Sequence, residues 1–405
     1  MNILFLTHRL PYAPNRGDRI RAYYLLREMA TFADVSLFSL VHDDDEVSQA
    51  ATTPFAKAVA TARVPHLANR VRGSLRLASS RPLTHSLLDA PDARAKIADL
   101  VRSRRPDLVV AYCSSMARFA MEPPLDGFPF VLDMVDVDSE KWRTLSERGR
   151  APLRWIYRRE AGTLAVFERA ASERARMVLA VSEEERDTLR AIAPGANIQV
   201  VPNGVEVEQF APPPDAPPRE PLVVFCGVMD YAPNVEGVNW FIEQVWPRIR
   251  AARPDARFVV VGANPAAALL RLARQDPSID VTGRVGDVRP FLWRAAVSVA
   301  PLRVARGLQN KVLEALAAGL PVVVTSAVRA GLPDGVDRGC DIADAPDTFV
   351  SAVVEVLALP ATERRTRAAG SGVRRLGWRD QLASLAALLK SAGSGSSARE
   401  GKRRF

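Results

Sequence analysis

Short runs of aliphatic and β-branched residues recur along both halves of this chain, each separated from the next by a stretch with helical periodicity. Runs that are apolar along their whole length are typical of parallel strands covered by helices on both faces. We predict strands at 3–6, 35–40, 108–111, 130–134, 177–181 and 199–201, and then at 222–225, 257–261, 280–282, 297–300 and 322–325. The pattern therefore predicts an α/β chain with two doubly wound parallel sheets. Ligands bind such sheets at the carboxyl ends of the strands, so we expect the two domains to face each other across a cleft.

A length of 405 residues indicates two or three domains. The sequence Val201-Pro-Asn-Gly-Val205 and the proline-rich stretch at 211–218 lie between the halves and predict a stiff linker or hinge. We predict a first domain at 1–203, a second at 204–374, a helix at 375–390 that packs back toward the first domain, and a disordered basic tail at 391–405. Within the second domain, apolar residues at steps of three and four predict a helix over 235–249.

Composition excludes several classes of protein. Hydrophobic residues make up 48% of the chain and charged residues 25%, as in an ordinary globular protein. The sequence contains no apolar run long enough to span a membrane and no signal peptide at its start, so we expect a cytoplasmic protein. Three widely spaced cysteines and four histidines without ligand spacing predict free buried thiols and no structural metal.

Positive charge is concentrated in part of the chain. The net charge is +9, and the 55 basic residues comprise 49 arginines and only 6 lysines. Residues 61–120 carry a local charge of +7, and the last residues are also basic. This distribution suggests an anionic partner, such as phospholipid headgroups at the inner face of the cell membrane or a lipid pyrophosphate. An Arg-rich face exposed to solvent is the alternative.

The segment 300–325 reads as a strand, a glycine loop, a helix and a second strand, with Gly319 as the helix stop before Pro321. At 100° per residue, Val312, Leu313, Leu316 and Ala317 share the core side of this helix, and Lys311 and Glu314 lie together on the other. An exposed ion pair worth about 0.2–0.5 kcal/mol is one interpretation of Lys311 and Glu314.

A phosphate site is the other interpretation of this segment. Lysine precedes glutamate, which is the less favourable order, and a cation in the first turn opposes the helix dipole. An anion at the helix start would reverse that penalty, because Gly307 lets backbone amides approach a phosphate and the first N–H groups are unpaired. Lys311 would then contact the phosphates, and Glu314 could accept hydrogen bonds from ribose hydroxyls.

These residues resemble a known family. The spacing Arg-Gly-x-x-x-Lys-x-x-Glu-Ala-x-Ala-x-Gly-x-Pro-Val-Val at 306–323, with 201–205 and Thr282-Gly-Arg-Val-x-Asp287, is similar to glycosyltransferase family 4, whose GT-B fold has two Rossmann-like domains and a C-terminal helix returning to the first. Strings at 7–21, 132–142 and 227–235 resemble the sugar transferases associated with exosortase/PEP-CTERM exopolysaccharide systems. The resemblance covers the chain to about residue 390.

The resemblance implies a donor site in the second domain. Glu314 matches the second glutamate of the family's E-x7-E pattern, which holds the nucleotide ribose, whereas the first glutamate is replaced by Arg306. The turn that begins at Gly227 lacks the Arg and Lys common in the family. Phosphate neutralisation is therefore assigned to Arg303, Arg306 and Lys311 beside Gly307, and Arg284 is a weaker candidate for lining the nucleotide pocket.

In the first domain, Gly17 matches the glycine loop after the first strand, and we place it with Arg19 on the acceptor side. Asp136 and Asp138 follow an apolar strand, where side chains emerge at the carboxyl edge. Either could orient or deprotonate an acceptor hydroxyl. Asp138 could instead cap the helix that begins near residue 139.

The resemblance implies a glycosyltransferase of hexosyltransferase type that uses a nucleotide-diphosphate sugar, a lipid-linked or polysaccharide acceptor, retention of configuration and no metal or other cofactor. Asp136-Val-Asp138 is also a DxD string, so a metal-dependent GT-A enzyme is one alternative. A non-catalytic sugar-binding protein is another, because Arg306 breaks the glutamate pair. A nucleic-acid binder is disfavoured, since no basic helix with interleaved aromatic residues is present.

Overall fold

The computed structural model describes residues 1–12, 14, 17–75, 77–149, 151–216, 219–305 and 308–394. The chain forms two compact units, one comprising Met1–Asn203 with the segment from Gln381 onward, and the other comprising Gly204–Asp380. Each unit is built around one parallel sheet with helices between successive strands. The predicted fold class, two doubly wound sheets and a C-terminal helix that returns to the first unit, is confirmed.

The first unit contains a parallel sheet of order β3-β2-β1-β4-β5-β6-β7. Its core comes from both faces of the central strands, which are buried almost throughout. The elements are β1 Asn2–Thr7, α1 Gly17–Met29, β2 Asp34–Val41, α2 Asp44–Ala50, β3 Ala58–Arg63, α3 His66–Leu75, α4 Leu83–Leu87, α5 Ala93–Ser103, β4 Leu108–Tyr112, α6 Ser114–Ala120, β5 Phe130–Val135, α7 Asp138–Arg148, α8 Leu153–Arg174, β6 Met177–Ala180, α9 Glu183–Ile192 and β7 Ile198–Val200.

The second unit contains a parallel sheet of order β10-β9-β8-β11-β12-β13. The elements are α10 Val207–Phe210, β8 Leu222–Cys226, α11 Ala232–Trp240, α12 Trp246–Ala252, β9 Arg257–Val261, α13 Ala267–Gln275, β10 Ile279–Gly283, α14 Arg289–Arg294, β11 Val297–Ala300, α15 Asn310–Ala317, β12 Val322–Val324, α16 Ser326–Arg329, β13 Cys340–Ile342, α17 Pro346–Ala358, α18 Ala361–Ala369 and α19 Trp378–Gln381, followed in the first unit by α20 Leu385–Ser394.

All eleven predicted strands are present, and two edge strands were missed. β3 and β13 each lie at the edge of a sheet, and their residues are mostly half-buried. An edge strand needs no continuous apolar run, because one side of it faces solvent. These two strands therefore lack the signal that identified the others.

The helix predicted at 235–249 is longer than expected and is interrupted by a π-helical turn. α11 passes into a π turn at Phe241–Val245 and continues as α12. Pro247 lies in the first turn of α12 and has no N–H to donate to the preceding turn, which explains the break in the α-helical ladder. The predicted apolar stripe packs into the core, and Val238, Phe241 and Ile249 are fully buried.

The return of the chain to the first unit starts beside its departure. Val205 donates its N–H to the Leu376 carbonyl at 2.8 Å and forms an isolated parallel bridge with Gly377. A Cβ at Gly204 would lie 2.6 Å from the backbone of Trp378, so only glycine fits there. The C-terminal helix α20 begins at Leu385, ten residues later than the predicted helix at 375–390, and packs against α1, β4 and β5. It includes residues 391–394 of the predicted tail, and the rest of that tail lies outside the described residues.

Within the part of the chain that the structure describes, no helix combines the length and apolarity that crossing a membrane requires.

A glycine at the end of β9 is required by close backbone packing. A Cβ on Gly262 would lie 1.8 Å from the Gly227 carbonyl oxygen, so Gly262→Ala must displace the backbone. We expect a loss of about 2–3 kcal/mol in the free energy of unfolding, measured by urea titration of tryptophan fluorescence. Gly286→Ala is the matched control, because nothing lies within 4 Å of the position that its Cβ would take, and we expect a change below about 0.5 kcal/mol. Equal stabilities of the two variants would contradict this prediction.

Candidate functional site

The side of the second sheet on which the chain adds strands switches between β8 and β11. The chain proceeds from β8 to β9 and β10 on one side and from β11 to β12 and β13 on the other. In doubly wound sheets, ligands bind beyond the carboxyl ends of the two strands at such a switch point. Gly227 directly follows β8, and the segment from Pro301 to the start of α15 follows β11. The predicted donor residues Gly227, Arg303 and Lys311 are therefore brought to this edge by the topology itself.

Lys311 lies in the first turn of α15, and its side chain extends to the end of β8. Its Nζ donates a hydrogen bond to Asn234 Oδ1 at 2.6 Å and lies 4.5 Å from the ring centroid of Phe225. Asn234 in turn donates to the Val228 carbonyl at 2.8 Å. The predicted core side of α15 is buried, and Lys311 and Glu314 are half-buried on the other side. The ammonium thus contacts an aromatic face and an amide oxygen, neither of which carries a full negative charge. It can therefore still bind an anion.

Gly227 leaves the Lys311 ammonium open to a close approach. A Cβ at this position would lie 3.0 Å from Lys311 Nζ and 2.8 Å from Asn234 Nδ2. Any side chain here would occupy the space beside the ammonium. Glycine therefore keeps room at the end of β8 where a ligand backbone or phosphate can reach the cation.

The two ionisable groups of α15 carry opposite pKa shifts with one cause. Burial lowers the pKa of the Lys311 ammonium to about 8 and raises the pKa of the Glu314 carboxyl to about 7. Their mutual attraction opposes both shifts but does not cancel them. A negatively charged ligand near Lys311 would stabilise the protonated ammonium further.

The first turn of α15 offers backbone donors. The first N–H groups of a helix have no partner within the helix, and the dipole places partial positive charge at this end of α15. Arg303 is exposed just after β11, and Arg284 is exposed just after the edge strand β10. Arg306 and Gly307, which the sequence assigns to the same loop, lie outside the described residues. Gly319 has φ +69° and follows the helix, as its role of helix stop requires.

In the first unit, β5 ends in a strained bulge that precedes Asp136. The pairing of β5 with β6 shifts between Asp133 and Val135, and Val135 has φ +62°. A β-branched residue with positive φ is rare and costs free energy, and such strain clusters at functional sites. The Asp136 N–H donates to the Met134 carbonyl at 2.8 Å, which closes a three-residue turn and leaves Asp136 exposed at the sheet edge. Desolvation by the surrounding protein raises the pKa of its carboxyl.

Asp138 is the first residue of α7 and does not cap it. Its carboxylate accepts a hydrogen bond from the Ser114 hydroxyl at 2.8 Å, and the helix N-cap is Val137. Carboxylates from two other helices accept the hydrogen bonds at the start of α7. Glu168 accepts from the N–H and the hydroxyl of Ser139, and Glu185 accepts from the Val137 N–H at 3.3 Å. Burial raises the pKa of Glu168 to about 8 and that of Glu185 to about 7.

Gly17 begins α1, and Arg19 is buried in the first turn of this helix. The Arg19 guanidinium forms an ion pair with Glu46, which also accepts from Arg9 at 3.0 Å and from the His42 N–H at 2.7 Å. Arg19 thus holds α2 against α1. Its placement on the acceptor side stays a prediction.

Sequence reasoning missed several residues that organise these edges. Two of them, Asn234 and Phe225, position Lys311. Asn234 could have been found in the sequence as a polar residue in the first turn of the helix that follows the turn at Gly227. Buried Arg21 donates to both carboxylate oxygens of Asp133 at 2.8–3.1 Å and to Asn203 Oδ1 at 3.0 Å. A buried charge pair between α1 and β5 leaves no periodic pattern, because its two members are more than a hundred residues apart.

No three His, Cys, Asp or Glu side chains come together in a way that could hold a metal ion, as far as the described residues show. The three cysteines are unpaired thiols, and Cys226 is buried whereas Cys113 and Cys340 are half-buried.

Comparisons with known proteins agree with the fold and with its two units. Residues 16–204 match the family model described as glycosyl transferase 4-like domain, and residues 220–359 match the model described as glycosyl transferases group 1. Together the two models span most of the chain. A search among curated protein sequences gave no significant match.

Solved structures of similar fold cover nearly the whole chain. Sucrose-phosphate synthase from Thermosynechococcus elongatus has a TM-score of 0.71 at 16% identity, covering 98% of this chain and 100% of its own. Anabaena HepE in complex with UDP has a TM-score of 0.65 at 14% identity, with 96% and 100% covered. Trehalose 6-phosphate synthase from Burkholderia multivorans has a TM-score of 0.63 at 13% identity, with 98% and 100% covered.

These matches decide between the alternatives drawn from the sequence. The single-domain GT-A interpretation of Asp136-Val-Asp138 is wrong, because two doubly wound units with GT-B neighbours are present. Both family models describe glycosyl transferases, which supports an enzyme over a non-catalytic sugar-binding module. The chain therefore belongs to the GT-B glycosyltransferases, with a glycosyltransferase 4-like first domain and a group 1 second domain.

Proposed function

We propose that this glycosyltransferase transfers a hexose-type sugar from a nucleotide-diphosphate sugar to a lipid-linked or polysaccharide acceptor in exopolysaccharide biosynthesis. The observation that carries the proposal is the Lys311 ammonium, which Asn234 and Phe225 hold beside Gly227 at the switch point of the second sheet. A half-buried cation next to a position that admits no side chain suits a diphosphate. The similar HepE structures are complexes with UDP and with UDP-glucose, which supports a nucleotide sugar as donor.

In this proposal, the donor diphosphate lies at the start of α15. Lys311, Arg303 and the backbone N–H groups of the first helical turn would neutralise it, together with Arg306 and Gly307 of the same loop. Glu314, one turn further along, would accept hydrogen bonds from the ribose hydroxyls, and Arg284 would lie toward the base. As the glycosidic bond breaks, negative charge grows on the departing diphosphate, and these fixed positive groups stabilise it. This electrostatic role needs no metal ion.

The acceptor is proposed to bind the first unit, near Gly17, Arg19, Asp136 and Asp138. Asp136 would orient or deprotonate the acceptor hydroxyl, since its carboxyl is exposed at a strained strand end and has a raised pKa. Retention of configuration and the exopolysaccharide role rest on the family resemblance. Cytoplasmic location at the inner face of the cell membrane is part of the same proposal, and the charge of +7 over residues 61–120 supports it.

A panel of nucleotide sugars tests the proposal. A donor that binds only the folded protein raises its melting temperature, and turnover with the correct acceptor releases free nucleotide diphosphate. We expect one donor of the panel to give both signals, also in excess chelator. If no nucleotide sugar raises the melting temperature or is turned over, the proposed donor class is wrong.

Replacing Lys311 by Met should weaken binding of the donor. The methionine keeps the apolar contact with Phe225 and removes the charge, so we expect a loss of about 10–100-fold in affinity by calorimetry, as for a charge-assisted hydrogen bond. The melting temperature should stay the same or rise, because a desolvated charge is removed. Lys57→Met on an exposed surface is the control and should leave the affinity unchanged. An unchanged affinity for Lys311→Met would remove Lys311 from the donor site.

The donor affinity should depend on pH with a maximum between about 7 and 8. Above about pH 8 the Lys311 ammonium of the free protein loses its proton, and below about pH 7 the Glu314 carboxylate gains one. Each loss should lower the affinity by up to about tenfold per pH unit. In Lys311→Arg, the guanidinium stays charged, so the decline above pH 8 should disappear. A calorimetric affinity for the nucleotide sugar that is constant from pH 6 to 9.5 in the unmodified protein would contradict this assignment.

Replacing Asp136 by Asn should lower kcat by about 10²–10⁴ and leave the donor affinity unchanged, because the amide cannot take the acceptor's proton. Asp138→Asn is the matched control. Its amide oxygen can still accept from Ser114, so we expect a much smaller loss of kcat. Steady-state rates and calorimetric donor affinities of both variants separate the two aspartates. Full activity of Asp136→Asn would exclude a role as base.

A further inference from the structure

Helix α3 exposes its apolar residues and buries its small polar ones. Leu67, Val71 and Leu75 recur at every fourth residue and are 80%, 64% and 79% exposed. On the opposite side, Asn69 and Gly73 are buried. A helix of a globular domain normally turns its apolar stripe toward the core. The outward stripe of α3 therefore needs a partner outside the fold.

The orientation of α3 is fixed by hydrogen bonds and close packing. Asn69 Nδ2 donates to the Leu87 carbonyl at 3.1 Å and to the Asp89 carbonyl at 2.8 Å. A Cβ on Gly73 would be 3.7 Å from the Leu87 side chain, so α3 lies close to α4 here. The helix cannot rotate its leucines inward without breaking the two hydrogen bonds of Asn69. Exposure of the stripe is thus built into the unit.

Two exposed arginines, Arg70 and Arg72, lie beside this stripe on α3. Neither of them forms an ion pair with another described residue. The sequence from Val64 to Leu88 contains four arginines and no acidic residue. Leucine and valine on one face with arginine beside them is the pattern of helices that lie in the interface of an anionic membrane.

The start of α8 repeats the same combination. Leu153 is 52% exposed and Trp155 is 62% exposed, and Arg154 and Arg158 beside them are exposed as well. The sequence 148–159 contains five arginines and no acidic residue. Tryptophan is favoured at the headgroup level of bilayers, where its apolar ring and its N–H both find suitable surroundings.

Hydrogen bonds hold the two segments on neighbouring parts of the unit. Arg159 donates to the Arg81 carbonyl at 2.8 Å and also to the Ser79 carbonyl, and Glu160 accepts from the N–H groups of Leu83 and Thr84 at 2.7 and 2.8 Å. Trp155 lies one turn before Arg159 on the same helical face. Ser79 is four residues beyond the end of α3, a span of at most about 14 Å.

We propose that these two segments form a membrane-binding patch, consisting of Leu67, Val71 and Leu75 with Arg70 and Arg72, and of Leu153 and Trp155 with Arg154 and Arg158. The partner is an anionic lipid bilayer: the apolar side chains enter the boundary between headgroups and acyl chains, and the arginines contact lipid phosphates. This inference rests on the proposed function, because a lipid-linked acceptor would give the enzyme a reason to bind a membrane. It differs from adsorption by charge alone, because insertion of apolar groups resists salt.

Co-sedimentation of the full chain with vesicles tests the patch. We expect binding to vesicles of phosphatidylglycerol and phosphatidylcholine, little binding to phosphatidylcholine alone, and partial retention when salt rises from about 0.1 M to about 0.5 M. The triple variant Leu67→Ser, Val71→Ser, Leu75→Ser keeps every charge and should bind at least about tenfold more weakly. Removing Arg70 or Arg72 by change to Gln should cost about fivefold each at the lower salt.

Val47→Ser is the matched control for the single variant Val71→Ser. Val47 is 44% exposed, but its helix α2 carries Asp44 and Asp45, which an anionic membrane repels. The change Val47→Ser should therefore leave vesicle binding unchanged. Thermal stabilisation by the nucleotide sugar, measured on every variant, reports the donor site separately from the patch.

Two results would overturn the proposal. One is vesicle binding of the triple variant that equals that of the unmodified protein. The other is a dimer in light scattering that the triple variant dissociates, with no vesicle binding by the unmodified protein, which would make a second copy of the chain the partner of the stripe. Because donor stabilisation is recorded independently, failure of the patch and failure of the transferase proposal can be told apart.

Discussion

The order of strands in the second sheet is the constraint on which the proposed donor site depends. With β8 in the middle, the chain must leave in opposite directions from β8 and β11, and the two connections diverge above their carboxyl ends. Gly227 and the first turn of α15 meet at this divergence because each belongs to one of the two connections. Gly262 has no Cβ, and this allows the Gly227 carbonyl to pack closely against the end of β9. The site is a consequence of topology first and of side-chain chemistry second.

Lys311 illustrates how a fold can hold an incomplete electrostatic arrangement. Taking an ammonium partly out of water costs free energy, and an aromatic face and one amide oxygen offset only part of it. The depressed pKa of Lys311 expresses the remainder. An anionic ligand would supply the missing opposite charge. The desolvation cost of Lys311 in the free protein would then be offset in the complex, which favours binding. The same reasoning applies to Val135, where backbone strain places Asp136 at the edge of the first sheet.

Much of the fold could be predicted from the sequence, because buried parallel strands and capped helices leave local patterns. The interior strands, the stripe of α15 and the stop at Gly319 were of this kind. The edge strands β3 and β13 were missed because half-buried residues carry no continuous apolar signal. At the site, Lys311 and Glu314 could be placed on one helix face, but the turn of Lys311 toward Phe225 could not, since it depends on a contact between residues 86 positions apart. The outward stripe of α3 could not be predicted either: its periodicity is that of a core helix, and only the hydrogen bonds of Asn69 reverse it.

Arg21 joins distant parts of the first unit through a single side chain. Its planar fork meets both oxygens of Asp133 and, with the remaining edge, the amide of Asn203, the last residue before the chain leaves the unit. Lysine offers one compact charge and could not make these contacts in one plane. Replacement of Arg21 by lysine, the commonest exchange between cationic residues, would therefore lose these contacts. Sequence drift in α1 is consequently limited by a partner far along the chain, and a helix that looks unremarkable in sequence becomes one of its least replaceable parts.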